Sequence, residues 1–223
     1  MTVTKINGTR MFHTAMGEGP PVVLIPGLGA THASFQGVAP LLVDAGLTVV
    51  MLDLRGVGQS DRGEPPYSME GWAEDVLALM DHLGLADAHI VGSSLGGCVA
   101  LALADKAPRR VKSLVLAATF SETDRLLELN YRVRIALVEQ AGLGPLFADY
   151  AVALLFGRSF LATERGRAVA SFAGQALRQN DSATYIAHLE ALLRFGRCEP
   201  DQASEPKFTA RLDRITAPAL VVW

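Results

Sequence analysis

The sequence predicts an α/β fold: a mostly parallel sheet, covered by helices on both faces and interrupted by an inserted helical block. Three observations carry that expectation. Apolar runs at 22–25 and 47–52 suit strands buried on both faces, and 111–118 reads as a further strand. Helical periodicity fills the intervals between later strands, and strand–helix alternation at this spacing calls for parallel pairing. From 121 to 195 the pattern turns wholly helical, and a helical block interrupting such an alternation reads as an insertion over the sheet.

In chain order, residues 2–17 read as two short strands around the turn signal Asn7-Gly8. Pro20-Pro21 stiffens the approach to the strand at Val22–Ile25, and the next strand, Leu47–Leu52, runs into Asp53-Leu54-Arg55-Gly56-Val57-Gly58. A helix follows Ser68, because Trp72, Val76, Leu77, Met80 and Leu83 fall on one face, and Gly84 is placed to cap it. His89-Ile90-Val91 form a strand, Cys98–Lys106 a helix stopped by Pro108, and Val111–Ala118 another strand. In the helical block, Leu126, Leu127, Ile135, Leu137 and Val138 make one apolar stretch, and Tyr185, Ile186, Leu189, Leu192 and Leu193 another. Glu199 to Pro206 reads as a polar linker with two prolines, after which 212–223 returns to the sheet through Ala217-Pro218. The expected organisation is a core at 1–120, a helical cap at 121–206 and a return to the core at 207–223.

The chemistry concentrates at Gly92-Ser93-Ser94-Leu95-Gly96, a Gly-x-Ser-x-Gly motif between a strand and a helix. A turn that tight forces Ser94 into a strained backbone conformation. It also requires small residues two positions either side, which Gly92 and Gly96 supply. The Ser94 hydroxyl is then held clear of the sheet at a helix N-terminus, as a nucleophile requires.

Composition narrows the function. With 50% hydrophobic and 19% charged residues the chain is globular, and a net charge of −3 with both signs well mixed excludes a basic nucleic-acid face. The two cysteines, Cys98 and Cys198, suggest neither a disulfide framework nor a metal site, and no His-Glu-x-x-His motif is present. Neither a cofactor nor a metal is expected, and the partner is a small-molecule substrate rather than nucleic acid or membrane. Without a signal-peptide pattern, the expected setting is cytoplasmic. Gly27-x-Gly29 after a strand also matches half of a dinucleotide fingerprint, but its third glycine would fall at His32.

Four ordered motifs, Leu24-Ile25-Pro26-Gly27-Leu28-Gly29, Asp53–Asp61, Val91–Gly97 and Ala217–Trp223, resemble the α/β-hydrolase superfamily, in particular its capped, esterase-like members. The resemblance covers nearly the whole chain and implies that Ser94 is the nucleophile of a serine hydrolase acting on an ester or a related thioester, lactone or C–C substrate. It implies that the backbone N–H groups of Leu28 and Leu95 form the oxyanion hole, with Gly27 and Gly29 letting the backbone approach the substrate. Perhydrolase and acyltransferase chemistry use the same constellation. Serine rather than aspartate at the elbow argues against epoxide hydrolase and dehalogenase chemistry. Ser93 stands where family members often carry histidine.

The family's acid and histidine loops follow the strand that ends here at Trp223, so the resemblance implies a sequence truncated before them, with a C-terminal strand and helix missing. Such a chain is expected to be nearly inactive and to expose an apolar sheet edge. Among the histidines, His188 is the only one after Ser94 and shares a helical stretch with Tyr185. It and His32, near the oxyanion loop, are the candidate pocket histidines, although a structural role suits each. The helical block carries apolar faces and no basic cluster, which points to uncharged, apolar acyl substrates. The rival reading is a hydrolase-like protein that binds a small apolar ligand without turning it over.

Overall fold

The computed structural model describes residues 2–195 and 208–223. Two strands open the chain, β1 (Thr2–Ile6) and β2 (Thr9–Met16), joined through Asn7 and Gly8 at φ 45° and 84°. Positive φ at both turn residues is the geometry that matches the right-handed twist of a hairpin. The remaining strands are β3 (Pro21–Ile25), β4 (Thr48–Leu52), β5 (Ala88–Ser93), β6 (Val111–Ala117) and β7 (Ala219–Val222). They form one sheet in the order β1-β2-β4-β3-β5-β6-β7. Only β1–β2 and β2–β4 pair antiparallel, and every pairing from β4 to β7 is parallel.

Parallel neighbours need crossovers, and helices supply them: α1 (Ala39–Asp44), α2 (Met69–His82) and α3 (Leu95–Lys106). The sequence pattern assigned nothing to the stretch holding α1, whose six residues are too few to show a period and whose Leu41 faces solvent. Helix α2 starts at the side chain of Ser68, which accepts a hydrogen bond from the Gly71 amide. The helix buries Trp72, Val76, Leu79 and Met80. Helix α3 is buried almost throughout and begins three residues before its continuous apolar run.

Five helices follow β6: α4 (Arg125–Ala141), α5 (Pro145–Leu155), α6 (Arg158–Leu161), α7 (Glu164–Arg178) and α8 (Ser182–Arg194). Asp124, Thr163 and Asp181 cap α4, α7 and α8 by accepting backbone amides three residues on. Helix α8 buries Thr184, Tyr185, His188, Leu189, Ala191 and Leu192, the spacing of one helical face. The block is tied down at both ends. Thr123 donates to the Leu192 carbonyl, and Arg194 donates to the carbonyl of Tyr67. Strand β7 is solvent-exposed along its length, and Trp223 is 89% exposed. Cys198 and the linker expected at 199–206 lie outside the described residues. Among the described residues no helix is long and apolar enough to cross a membrane.

One buried ion pair fixes the loop after β4. Arg55 donates from Nε and Nη2 to both carboxylate oxygens of Asp75, at 2.6–2.9 Å, and Asn7 Nδ2 adds a third donor at 3.0 Å. Asp75 is fully buried, so removing it leaves a mostly buried guanidinium without its counter-charge. Asp75→Ala is expected to cost about 3–5 kcal/mol, the usual range for breaking a buried pair from one side. Urea denaturation of the two proteins checks this.

Candidate active site

The C-terminal ends of β3, β4 and β5 lie at one edge of the sheet, which carries Ser94, the loop at 27–29 and Asp53. Ser94 joins β5 to α3 with φ 52° and ψ −118°, a left-handed conformation that an L-residue adopts only under strain. The neighbouring glycines are required by contact. A Cβ on Gly92 would strike the backbone of Gly96 and Gly97, one on Gly96 the carbonyl oxygens of Ile25 and Pro26, and one on Gly97 the side chain of Thr119. Helix α3 is thus pressed against the ends of both β5 and β3. Thr119 adds a bond of 2.7 Å from its hydroxyl to the Ser94 carbonyl. Cys98 packs behind the turn, and burial pushes its thiol up to about 12, so it stays a neutral filler.

The loop after β3 runs beside the serine. A Cβ on Gly27 would lie 3.4 Å from Ser94 Cβ, so the backbone at 27–28 approaches the hydroxyl-bearing carbon closely. Leu95 opens α3, and its amide is among those a helix leaves without an internal partner. No hydrogen bond to the Leu28 amide is present among the described residues. Gly29, at φ 66°, leaves no room for a side chain against Tyr185, and its carbonyl accepts from Asn180 Nδ2 at 2.9 Å. The helical block therefore holds the loop from above, through Tyr185 of its apolar stripe and through Asn180, which no motif marks.

Asp53, fully buried, gathers the neighbouring loops. Its Oδ1 accepts from both the amide and Nδ1 of His32 at 2.7 Å, and its Oδ2 accepts from the Gln59 amide at 2.9 Å. Its own carbonyl accepts from Ser60, whose hydroxyl oxygen accepts from the Phe12 amide. His32 also packs on Phe12 and lines a cavity of about 320 Å³ with Thr31, Asp53, Gln59 and Asn180.

A larger cavity, of about 910 Å³, holds Ser94. Its walls are largely apolar, from Leu116, Phe120, Leu127, Tyr131, Leu154 and Leu155, with Glu122, Asp124, Asn130 and Arg134 as polar members. The two cavities share no lining residue, so His32 and Ser94 face different spaces. His188 belongs to neither. It stands edge-on between Tyr67 and Trp72, at centroid distances of 4.5 and 4.9 Å, and presses on Gly56. Among the described residues no imidazole is hydrogen-bonded to Ser94, and no group of three His, Cys, Asp or Glu is placed to hold a metal ion.

This fold and this turn define a class, and comparison with known proteins agrees. Residues 20–223 match the family model described as alpha/beta hydrolase fold, and the chain belongs to that family. A Variovorax paradoxus protein named as a candidate carbamate hydrolase, RutD, is 32% identical over 211 residues, covering 92% of this chain and 73% of its own. Among solved structures, the enol-lactonase of Burkholderia xenovorans LB400 superposes with a TM-score of 0.85 at 25% identity, over 99% of this chain and 80% of its own. A thermophilic esterase from Thermogutta terrifontis superposes at 0.84 with 25% identity, over 99% and 79%.

Burial holds His188 down at about 4, against the opposing backbone hydrogen bond of Arg55. Below the unfolded value of about 6.5 the unfolded chain binds a proton that the folded chain refuses. Stability is therefore intact above pH 6.5 and falls as the pH drops toward 4. Between pH 7.5 and 5 this one group is expected to remove about 2 kcal/mol. His188→Leu is expected to flatten that part of the profile, read from urea midpoints at the two pH values. Equal losses in both proteins would put the acid sensitivity elsewhere.

Proposed function

We propose that the protein is a serine hydrolase acting on a small ester or related acyl compound whose reacting group is uncharged. One observation carries the reading: Ser94 sits at a strained strand-to-helix turn, in the wall of a largely apolar cavity. The names of the relatives support it, since carbamates, lactones and esters all react at an acyl carbon. In this scheme Ser94 Oγ attacks that carbon, and the negative charge gathers on the carbonyl oxygen. The amides of Leu28 and Leu95 face that charge, and each such donor lowers the barrier by about 2.7–4 kcal/mol. Collapse expels the alcohol and leaves an acyl ester on Ser94, which water cleaves to the free acid. A base must take the Ser94 proton, and we assign that role to no residue named here. Helices α4–α8, within the block read as 121–206, act as the cap that shapes the acyl pocket.

A second reading is a binder that holds an acyl compound without cleaving it, favoured by the lack of a base against Ser94 among the described residues. A fluorophosphonate probe separates the two. Labelling is expected in an extended, active form of the chain and should vanish in its Ser94→Ala variant, with the circular dichroism spectrum unchanged. Label that persists in the variant, at Ser93 for example, would refute the assignment, and an extended form that stays unlabelled would favour the binder.

A further inference from the structure

The Ser94 cavity contains one feature that an apolar acyl pocket does not require. Arg134, on α4, lines it together with Ser94. Its Nη2 donates to the neutral hydroxyl of Tyr185 at 2.8 Å, and its Nε is shielded from solvent with no acceptor at all. No carboxylate pairs with it among the described residues, whereas neighbouring arginines on the same helix are paired: Arg125 and Arg132 both bind Glu128. The two acids of the same cavity, Asp124 and Glu122, accept from the Leu127 amide and the Thr209 hydroxyl and keep their charge, but neither forms an ion pair with Arg134 among the described residues. Arg134 is half-buried, so its guanidinium borders a largely apolar space with Nε shielded and unpaired, a position that an arriving anion would complete.

We propose that Arg134 is a specificity residue that binds a carboxylate on the substrate, remote from the ester cleaved at Ser94. The natural substrate class is then a monoester or lactone of a dicarboxylic acid. Its apolar middle lies along Leu127 and Tyr131, with its ionised end on Arg134. Arg134 is the one cation among the described residues lining the cavity. One guanidinium, with the carboxylates of Glu122 and Asp124 in the same wall, suits a singly charged carboxylate better than a doubly charged phosphate. The wholly uncharged substrate expected from the sequence is revised accordingly, since the expectation rested on the lack of a basic cluster and a single arginine suffices. The inference rests on Ser94 marking the acyl site, but not on its chemistry.

The test is binding, in the Ser94→Ala chain so that nothing is cleaved. Isothermal calorimetry compares mono-benzyl succinate with benzyl butyrate, ligands that differ in the terminal carboxylate. The succinate is expected to bind at least about tenfold tighter, as a charge-assisted hydrogen bond would give. Arg134→Gln should abolish the preference through loss of affinity for the succinate. Tyr185→Phe, which removes the hydroxyl but keeps the cation, should retain the preference. Equal affinity for the two ligands, no measurable binding of the succinate, or a preference that survives Arg134→Gln would overturn the proposal. If the fluorophosphonate result refutes Ser94 while the Arg134-dependent preference persists, the nucleophile assignment falls and the anion site stands.

Discussion

The C-terminal edge of the sheet depends on how closely α3 approaches the ends of β3 and β5. That approach is a steric matter, decided by three glycines. With Gly92, Gly96 and Gly97 in place, the helix start rests directly on the carbonyl oxygens of Ile25 and Pro26 and on Thr119. The loop at Gly27–Gly29 leaves β3 at that contact, so the position of Ser94 and the path of the neighbouring loop are set by a single packing event. A methyl group at Gly96 would separate the helix from the strand and move the serine and the loop apart together.

Around this contact, polar groups do the bracing. Asp53 draws in the loops carrying His32 and Gln59, and the Arg55–Asp75 pair fastens the segment after β4 to α2. Both carboxylates are buried and fully partnered, the condition under which buried charge organises a structure rather than weakening it. The helical block is bound to the same edge by Asn180 to Gly29, Arg194 to Tyr67 and Arg62 to Asp181, and its Tyr185, Leu189 and Leu192 share one buried core with the sheet.

Much of this was legible in the residues. Strands β3 and β4 stand out because a strand covered on both faces is apolar nearly throughout, and the turn at Ser94 because its glycines have no substitute. The start of α3 was hidden by those same glycines, since Leu95-Gly96-Gly97 resembles a loop and is helical only through its packing. Pairing across distance was equally hidden. Asn180 and Gly29 are 151 residues apart, and nothing in the local pattern around either forecasts their hydrogen bond. His188 shows the converse. Its place in the apolar stripe of α8 was visible, but only the stacking of Tyr67 and Trp72 turns that stripe inward, away from the serine.

The backbone at Ser94 has a consequence for anyone selecting variants of this protein. A left-handed residue is one that glycine occupies with less strain than any other, by about 1 kcal/mol or more. Position 94 therefore holds the fold below the stability it would reach with glycine there. A screen for heat resistance alone would reward the loss of the side chain that a nucleophile needs. With Ser94 as the proposed nucleophile, stability and reactivity pull this position in opposite directions.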